Sequence, residues 1–149
     1  MRELLLFIHI AAIGAWLGSA ALQLVVSPTM QKAGGATAAS WMRQTARIGR
    51  IVVSPAAVVT LVTGFILVLR EEVFDFEQVF VVIGFLVVIA GAVLGMRVSG
   101  PGGRKAADLH EQGDAKGAAA VASRLRMWGL IETALLLFAI YAMVAKLGI

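Results

Sequence analysis

The 149-residue chain is 60% hydrophobic and only 15% charged, with a formal net charge of +4. So much apolar surface in a chain of this length excludes an ordinary soluble domain. The chain contains no cysteine, which excludes disulfides, thiolate metal sites and thiol catalysis.

Four nearly uncharged stretches are each long enough to cross a hydrocarbon core of about 30 Å at about 1.5 Å per residue. We therefore predict an all-α membrane protein, an antiparallel bundle of four transmembrane helices formed by residues 1–149 as one domain. The four spans leave one compact bundle and no room for a separate soluble domain. The predicted spans are 4–26, 51–69, 79–96 and 127–145, joined by loops 27–50, 70–78 and 97–126.

The basic residues are unevenly divided between the two sides that these spans define. One side carries Arg2, Arg70 and Lys146, together with both termini and loop 70–78. The other side carries Lys32, Arg43, Arg47, Arg50, Arg97, Arg104, Lys105, Lys116, Arg124 and Arg126. The positive-inside rule predicts a cell-membrane protein whose long loops are cytoplasmic and whose termini are outside. Because the basic residues flank apolar spans, we expect no nucleic-acid partner.

The first span carries polar side chains on one face. At 100° per residue, this face holds His9, Trp16, Ser19 and Gln23, and Gly14 and Gly18 lie opposite. We expect this span to end at Ser27-Pro28, where the proline ring disfavours further helix.

The approach to the second span is basic and helical. Arg43, Arg47 and Arg50 recur at spacings of four and three, which predicts one stripe that attracts anionic lipid head groups. Pro55 favours a kink inside the span. We expect helix from Thr37 onward, and Asp114 is a candidate N-cap for a helix that continues into the fourth span.

Two GxxxG motifs occur, one in the first span and one in the third. They are Gly14 with Gly18, and Gly91 with Gly95. Small residues at this spacing let helix backbones approach closely. Two alternatives stay open: the two motifs face each other within the chain, or they mediate a homodimer.

Two ionisable residues, His9 and Glu132, lie inside the predicted spans, where such residues are costly. Their depths differ by roughly half of the hydrocarbon thickness. We hypothesise that Glu132 pairs with Arg50 or Arg47, with Gln23 as a hydrogen-bond partner. This polar clamp would tie spans one, two and four together.

His9 has two interpretations. A hydroxyl or carbonyl of a neighbouring helix can satisfy its imidazole, or the imidazole can ligate haem b iron or copper. Met143 lies near the same side of the membrane and is a conceivable second ligand.

The stretch His9-Ile-Ala-Ala-Ile-Gly-Ala-Trp16-Leu-Gly18 resembles the opening helix of a superfamily of small four-helix membrane proteins. Its members include copper resistance D proteins, HemJ protoporphyrinogen oxidases and uncharacterised families. Thr63-Gly64 in the second span is also similar. The resemblance implies the four-span layout and, from the HemJ-like members, haem at the matching histidine. The lysine that accompanies that histidine has no counterpart inside spans two to four.

No set of catalytic residues is identified. We expect a non-catalytic accessory or binding bundle, either alone or in a larger membrane complex. One alternative is a haem- or copper-binding protein that uses His9. The other is a small channel or carrier with a polar path from His9 to Glu132.

Overall fold

In a computed structural model, the described residues, 1–70 and 75–147, are almost entirely helical. Four helices account for this: α1 (Arg2–Ala33), α2 (Gly35–Arg70), α3 (Val79–Glu111) and α4 (Ala115–Val144). Each is long and apolar enough to cross a membrane. The predicted all-α four-helix membrane bundle is confirmed. Of the predicted loop 70–78, residues 71–74 lie outside the described part of the chain.

Neighbouring helices run antiparallel, as the contacts between α1 and α2 show. His9, near the start of α1, contacts Thr63 near the end of α2. Ser27, near the end of α1, accepts a hydrogen bond from Trp41 near the start of α2. The two helices therefore form a long hairpin, which is the geometry that short connections favour in helical bundles.

α3 lies diagonally opposite α1 and runs parallel to it. Trp16 packs on Gly91, and further along both helices Gln31 contacts His110. The α1–α2 and α3–α4 connections thus meet at one end of the bundle. We call this end the basic end, because ten of the thirteen lysines and arginines lie toward it. The opposite end, where both termini lie, is the terminal end.

Most of the predicted loops 27–50 and 97–126 are helical. α1 continues through Pro28 to Ala33, and the chain reverses at Gly34, whose φ of +66° favours glycine. The expected end at Ser27-Pro28 is wrong because contacts with α2 and α3 hold this last part of α1 in place. Asp114 caps α4 as predicted, accepting a hydrogen bond from the Gly117 amide at 2.9 Å.

Two prolines follow π-helical turns at the same spacing. The turn Gly49–Val53 precedes Pro55, and the turn Gly95–Ser99 precedes Pro101. Proline cannot donate to the helix ladder, and its ring crowds the carbonyl four residues back, so a wider turn relieves the conflict. At the first turn, the Ser54 hydroxyl donates to the Gly49 carbonyl at 3.0 Å. The irregularity predicted at Pro55 is thus a π-helical turn.

The side chains divide into an apolar core and an apolar exterior. The main core contains Trp16, Ala56, Val87, Leu136 and other buried residues from all four helices. Large apolar side chains such as Leu86 remain exposed on the outer faces. In water such exposure would favour association, whereas in a membrane these faces contact lipid tails.

Candidate functional site

Trp16 lies at the centre of the bundle and connects three helices. Its side chain is 1% exposed. Its Nε1 donates a hydrogen bond to Glu132 Oε1 of α4 at 2.9 Å. Its ring packs on Gly91 of α3 so closely that a Cβ built there would lie 2.6 Å from Trp16 Cζ2. The indole therefore fills the bundle axis at mid-depth.

On the basic side of Trp16, the four helices enclose a cavity of about 760 Å³, which we call the central cavity. Residues of both π-helical turns line it, and turns of this kind are frequent at functional sites. Many other lining residues are too small to fill the space between helices. They include Ala20, Ala46, Gly49, Ala57, Gly95, Gly100, Ala119, Ala122 and Gly129.

Three arginines and one carboxylate line the central cavity. Arg50, Arg104 and Arg126 come from α2, α3 and α4, and all three remain exposed. They line the cavity toward the basic end, and we call this side of the cavity its mouth. Within residues 1–70 and 75–147, none of these guanidinium groups is paired with a carboxylate. Glu132 lies deeper, about 9 Å from Arg126 along α4. The cavity is therefore positively charged at its mouth.

Arg43, although part of the predicted basic stripe, is bound to carboxylates of α3. Its guanidinium contacts Asp108 at 3.1 Å and Glu111 at 2.7 Å. Arg43 lies outside the predicted apolar span, which begins at residue 51. The Glu111 carboxylate raises the pKa of Arg43 most, and the Asp108 carboxylate raises it further. Arg43 is thus engaged within the chain, whereas Arg47 and Arg50 stay available for the predicted contact with anionic lipid.

A polar contact between α1 and α3 borders the central cavity near the basic end. His110 Nε2 donates to Gln31 Oε1 at 2.8 Å, and both residues line the cavity. The Gln31 amide nitrogen is buried, and no acceptor for it occurs in the described part of the chain. One hydrogen-bond donor of the cavity wall is therefore unused.

The predicted polar clamp needs correction. Glu132 accepts its hydrogen bond from Trp16, and the Gln23 amide donates to the Ser19 carbonyl of its own helix at 3.3 Å. Neither Arg47 nor Arg50 forms an ion pair with Glu132 among the described residues. The reason is spatial: Gln23, Arg50 and Glu132 all line the central cavity, so open space separates them.

His9 lies in the terminal half, against α2. Its Nδ1 is 2.9 Å from Thr63 Oγ1, and that hydroxyl donates its own proton to the Val59 carbonyl at 2.6 Å. His9 therefore donates through Nδ1, and in the neutral ring Nε2 carries the lone pair. A hydroxyl of a neighbouring helix therefore satisfies the imidazole, which is the first of the two interpretations given for His9.

The structure does not bring Met143 to His9. The Met143 methyl group packs on Gly84 of α3, whereas the His9 ring packs on Gly64 of α2. In the described ranges, no group of three His, Cys, Asp or Glu side chains could hold a metal ion. The two side chains thus pack on different helices, and haem b or copper held by His9, alone or with Met143, stays a prediction.

Apolar side chains lie between His9 and Glu132, the two ends of the predicted polar path. Ala12, Val88 and Ala139 of the main core occupy this depth, together with the Trp16 ring. Hydrophobic constrictions of this kind also occur as gates in channels, so the predicted path stays a prediction. The two polar positions thus belong to separate halves of the bundle.

The two GxxxG motifs do not pack on each other. Gly14 and Gly18 are exposed, and nothing lies within 4 Å of a Cβ built on either. Gly91 receives the Trp16 ring, while Gly95 opens onto the central cavity. Of the two alternatives, packing of the motifs within the chain is not seen.

Sequence reasoning missed the central cavity. Two signals pointed toward it: the glycine six residues before a proline at Gly49 and Pro55, and the same spacing at Gly95 and Pro101.

Comparison of the chain with protein-family models, with curated proteins and with solved structures finds no match.

Proposed function

We propose that this chain is a non-catalytic membrane binding protein whose central cavity holds a small molecule with a largely apolar body. The observation that carries this proposal is the cavity itself, at about 760 Å³ between four helices. Ligand sites are commonly about 300–1,000 Å³ and combine apolar walls with a few polar groups. Leu24, Val58 and Leu61 supply apolar wall, and Glu132 with Trp16 forms the inner end.

The orientation of the bundle is part of this proposal. The mouth of the cavity lies at the basic end, and basic residues accumulate on the cytoplasmic side of membrane proteins. The ligand would then enter from the cytoplasm or from the inner leaflet. The partition of ten lysines and arginines against three supports this orientation.

Quenching of Trp16 fluorescence tests occupancy of the cavity. A variant with Trp41→Phe and Trp128→Phe keeps Trp16 as its only tryptophan. Trp16 lies at the inner end of the cavity, so a bromoalkyl chain bound there lies close to the indole, whereas the surrounding helices separate the indole from bulk lipid. We expect a single-chain brominated alcohol, added to nanodiscs of zwitterionic lipid, to quench Trp16 saturably.

A matched pair of glycine substitutions provides the control. Gly95→Leu places a side chain in the cavity, whereas Gly14→Leu places the same side chain on the exposed face of α1. We expect Gly95→Leu to abolish saturable quenching and Gly14→Leu to leave it unchanged. Gly129→Leu fills the cavity from α4 and is the second test if Gly95→Leu fails to fold. Equal quenching in all variants, or no quenching in the Trp16-only protein, would contradict the proposed function.

A further inference from the structure

We infer that the ligand of the central cavity is an anionic amphiphile. Its phosphate or carboxylate head is bound at the mouth by Arg50, Arg104 and Arg126, and its apolar tail extends toward Trp16. This inference rests on the proposed function, since it names the chemical class of the molecule that the cavity takes. It adds two features, the sign of the head-group charge and the direction in which the molecule lies.

The charge at the mouth favours an anion. Arg50, Arg104 and Arg126 line one cavity from three helices, and the described residues supply none of them with a carboxylate. Arg43, on the same stretch of chain as Arg50, has two carboxylate partners. Like charges that face one space repel each other, so an anion bound among them is stabilised by all three.

Arginine also suits the proposed head group in geometry. The guanidinium fork donates two parallel hydrogen bonds to phosphate or carboxylate, and several forks can share one phosphate. These donors discriminate an anionic or strongly accepting head from a cationic one.

The inner end of the cavity fixes the direction of the molecule. Val53, Val58 and Leu61 of α2 line the deeper part of the wall, and Glu132 lies beside Trp16 at the end. An anionic head placed next to the Glu132 carboxylate would be repelled, whereas an alkyl tail there contacts apolar wall and the indole ring. The head therefore lies at the mouth and the tail lies inside.

Three brominated amphiphiles with the same alkyl chain test the inference. They are the alcohol, its phosphate monoester and the trimethylammonium analogue, each titrated by Trp16 quenching in zwitterionic nanodiscs. A phosphate monoester carries about −1.5 to −2 charges at pH 7. We expect it to bind at least about tenfold more tightly than the alcohol, since hydrogen bonds to charged groups are the stronger class. The trimethylammonium analogue should bind more weakly than either.

Neighbouring arginines give matched controls for the head-group site. Arg126→Gln and Arg104→Gln remove cavity-lining charges, while Arg124→Gln and Arg97→Gln remove charges on the same two helices that do not line the cavity. We expect each of the first two to weaken monoester binding about fivefold to tenfold and the control pair to change it less than twofold. Alcohol binding should be unchanged in the control pair, Arg124→Gln and Arg97→Gln, and far-UV circular dichroism verifies that all four variants remain folded.

The outcomes separate this inference from the proposed function. If the alcohol and the monoester bind equally well, the anionic head group is wrong while the proposed function stands. If neither quenches saturably, the proposed function fails. Inorganic phosphate is the last competitor: if it displaces the monoester at similar concentrations, the site binds a free anion and the apolar tail is irrelevant. We expect inorganic phosphate to compete at least about a hundredfold more weakly, because it lacks the buried chain.

Discussion

The same four helices build a packed terminal half and an open basic half. In the terminal half, His9 contacts Thr63, the Met143 methyl lies on Gly84, and apolar side chains fill the axis. In the basic half, the helices border a cavity of about 760 Å³. Within residues 1–70 and 75–147, the arginines at its mouth have no carboxylate partner. Trp16 forms the boundary.

The glycines of the bundle have two kinds of surroundings, close packing at some positions and open space at others. At Gly64, Gly84 and Gly91 a side chain from another helix occupies the position of the missing Cβ. At Gly49 and Gly95 nothing lies within 4 Å, and both residues line the cavity. A glycine thus permits close packing only where a partner side chain fills the space, and otherwise it leaves a void.

The largest effect is expected from truncation at the boundary. Trp16→Ala should lower the free energy of unfolding by about 3 kcal/mol, at the lower end for a buried aromatic residue, because lipid and not water surrounds the bundle. The substitution removes the ring from Gly91 and the hydrogen bond to Glu132. Denaturation in mixed micelles, with far-UV circular dichroism as the signal, measures the change.

Trp16→Phe is the matched control, since it keeps most of the ring and loses the indole donor. We expect it to retain more than half of the stability lost in Trp16→Ala. An equal loss in both variants would mean that the hydrogen bond to Glu132, and not the packing of the ring, maintains the boundary between the halves.

The second prediction compares two glycines of one GxxxG motif. Gly91→Ala introduces a Cβ at 2.6 Å from the Trp16 ring, so we expect a loss of about 1–3 kcal/mol from overpacking. Gly95→Ala introduces the same methyl group into open space. Since alanine also favours helix, Gly95→Ala should be neutral or stabilising by up to about 1 kcal/mol.

The sign of the difference between these two variants is decisive. Equal losses would show that the open half is packed as tightly as the terminal half, and the central cavity would then be absent in solution. Thermal unfolding in the same detergent measures both, and size-exclusion chromatography of each variant verifies that its assembly state is unchanged.

The sequence predicted the fold because the signal for a membrane helix is one of composition and length. Four uncharged stretches sufficed, and each observed helix contains one of the predicted spans almost completely. The extensions beyond the spans were only partly predicted. Asp114 was identified as a cap, but Pro28 was taken as an end although contacts with neighbouring helices override its local preference.

Only part of the candidate site was predicted. Gln23, Arg50 and Glu132 were placed together by depth, and all three do line one cavity. Depth along a helix does not give the distance across a bundle, however, so an ion pair was expected where a cavity lies. The distance between helices depends on the Trp16 side chain, which lies at the centre of the bundle and donates to Glu132. It also depends on two π-helical turns that local sequence patterns do not predict.

The smallest predicted effect concerns the polar contact of the terminal half. Thr63→Val removes the hydroxyl that accepts from His9, and also that hydroxyl's bond to its own helix. Thr133→Val is the matched control, because it removes only a hydrogen bond from a threonine hydroxyl to its own helix, the one that Thr133 donates to the Gly129 carbonyl. Hydrogen bonds between membrane helices contribute about 0.6 kcal/mol on average and at most about 1.7 kcal/mol. We expect Thr63→Val to cost more than Thr133→Val by about this amount in the mixed-micelle denaturation.

A double-mutant cycle with His9→Ala assigns that difference to the pair. If the imidazole and hydroxyl stabilise each other, the loss in the double variant should be smaller than the sum of the single losses. A coupling energy of zero would mean that packing against Gly64 alone holds His9. The contact between the imidazole and the Thr63 hydroxyl would then contribute no stability to the terminal half.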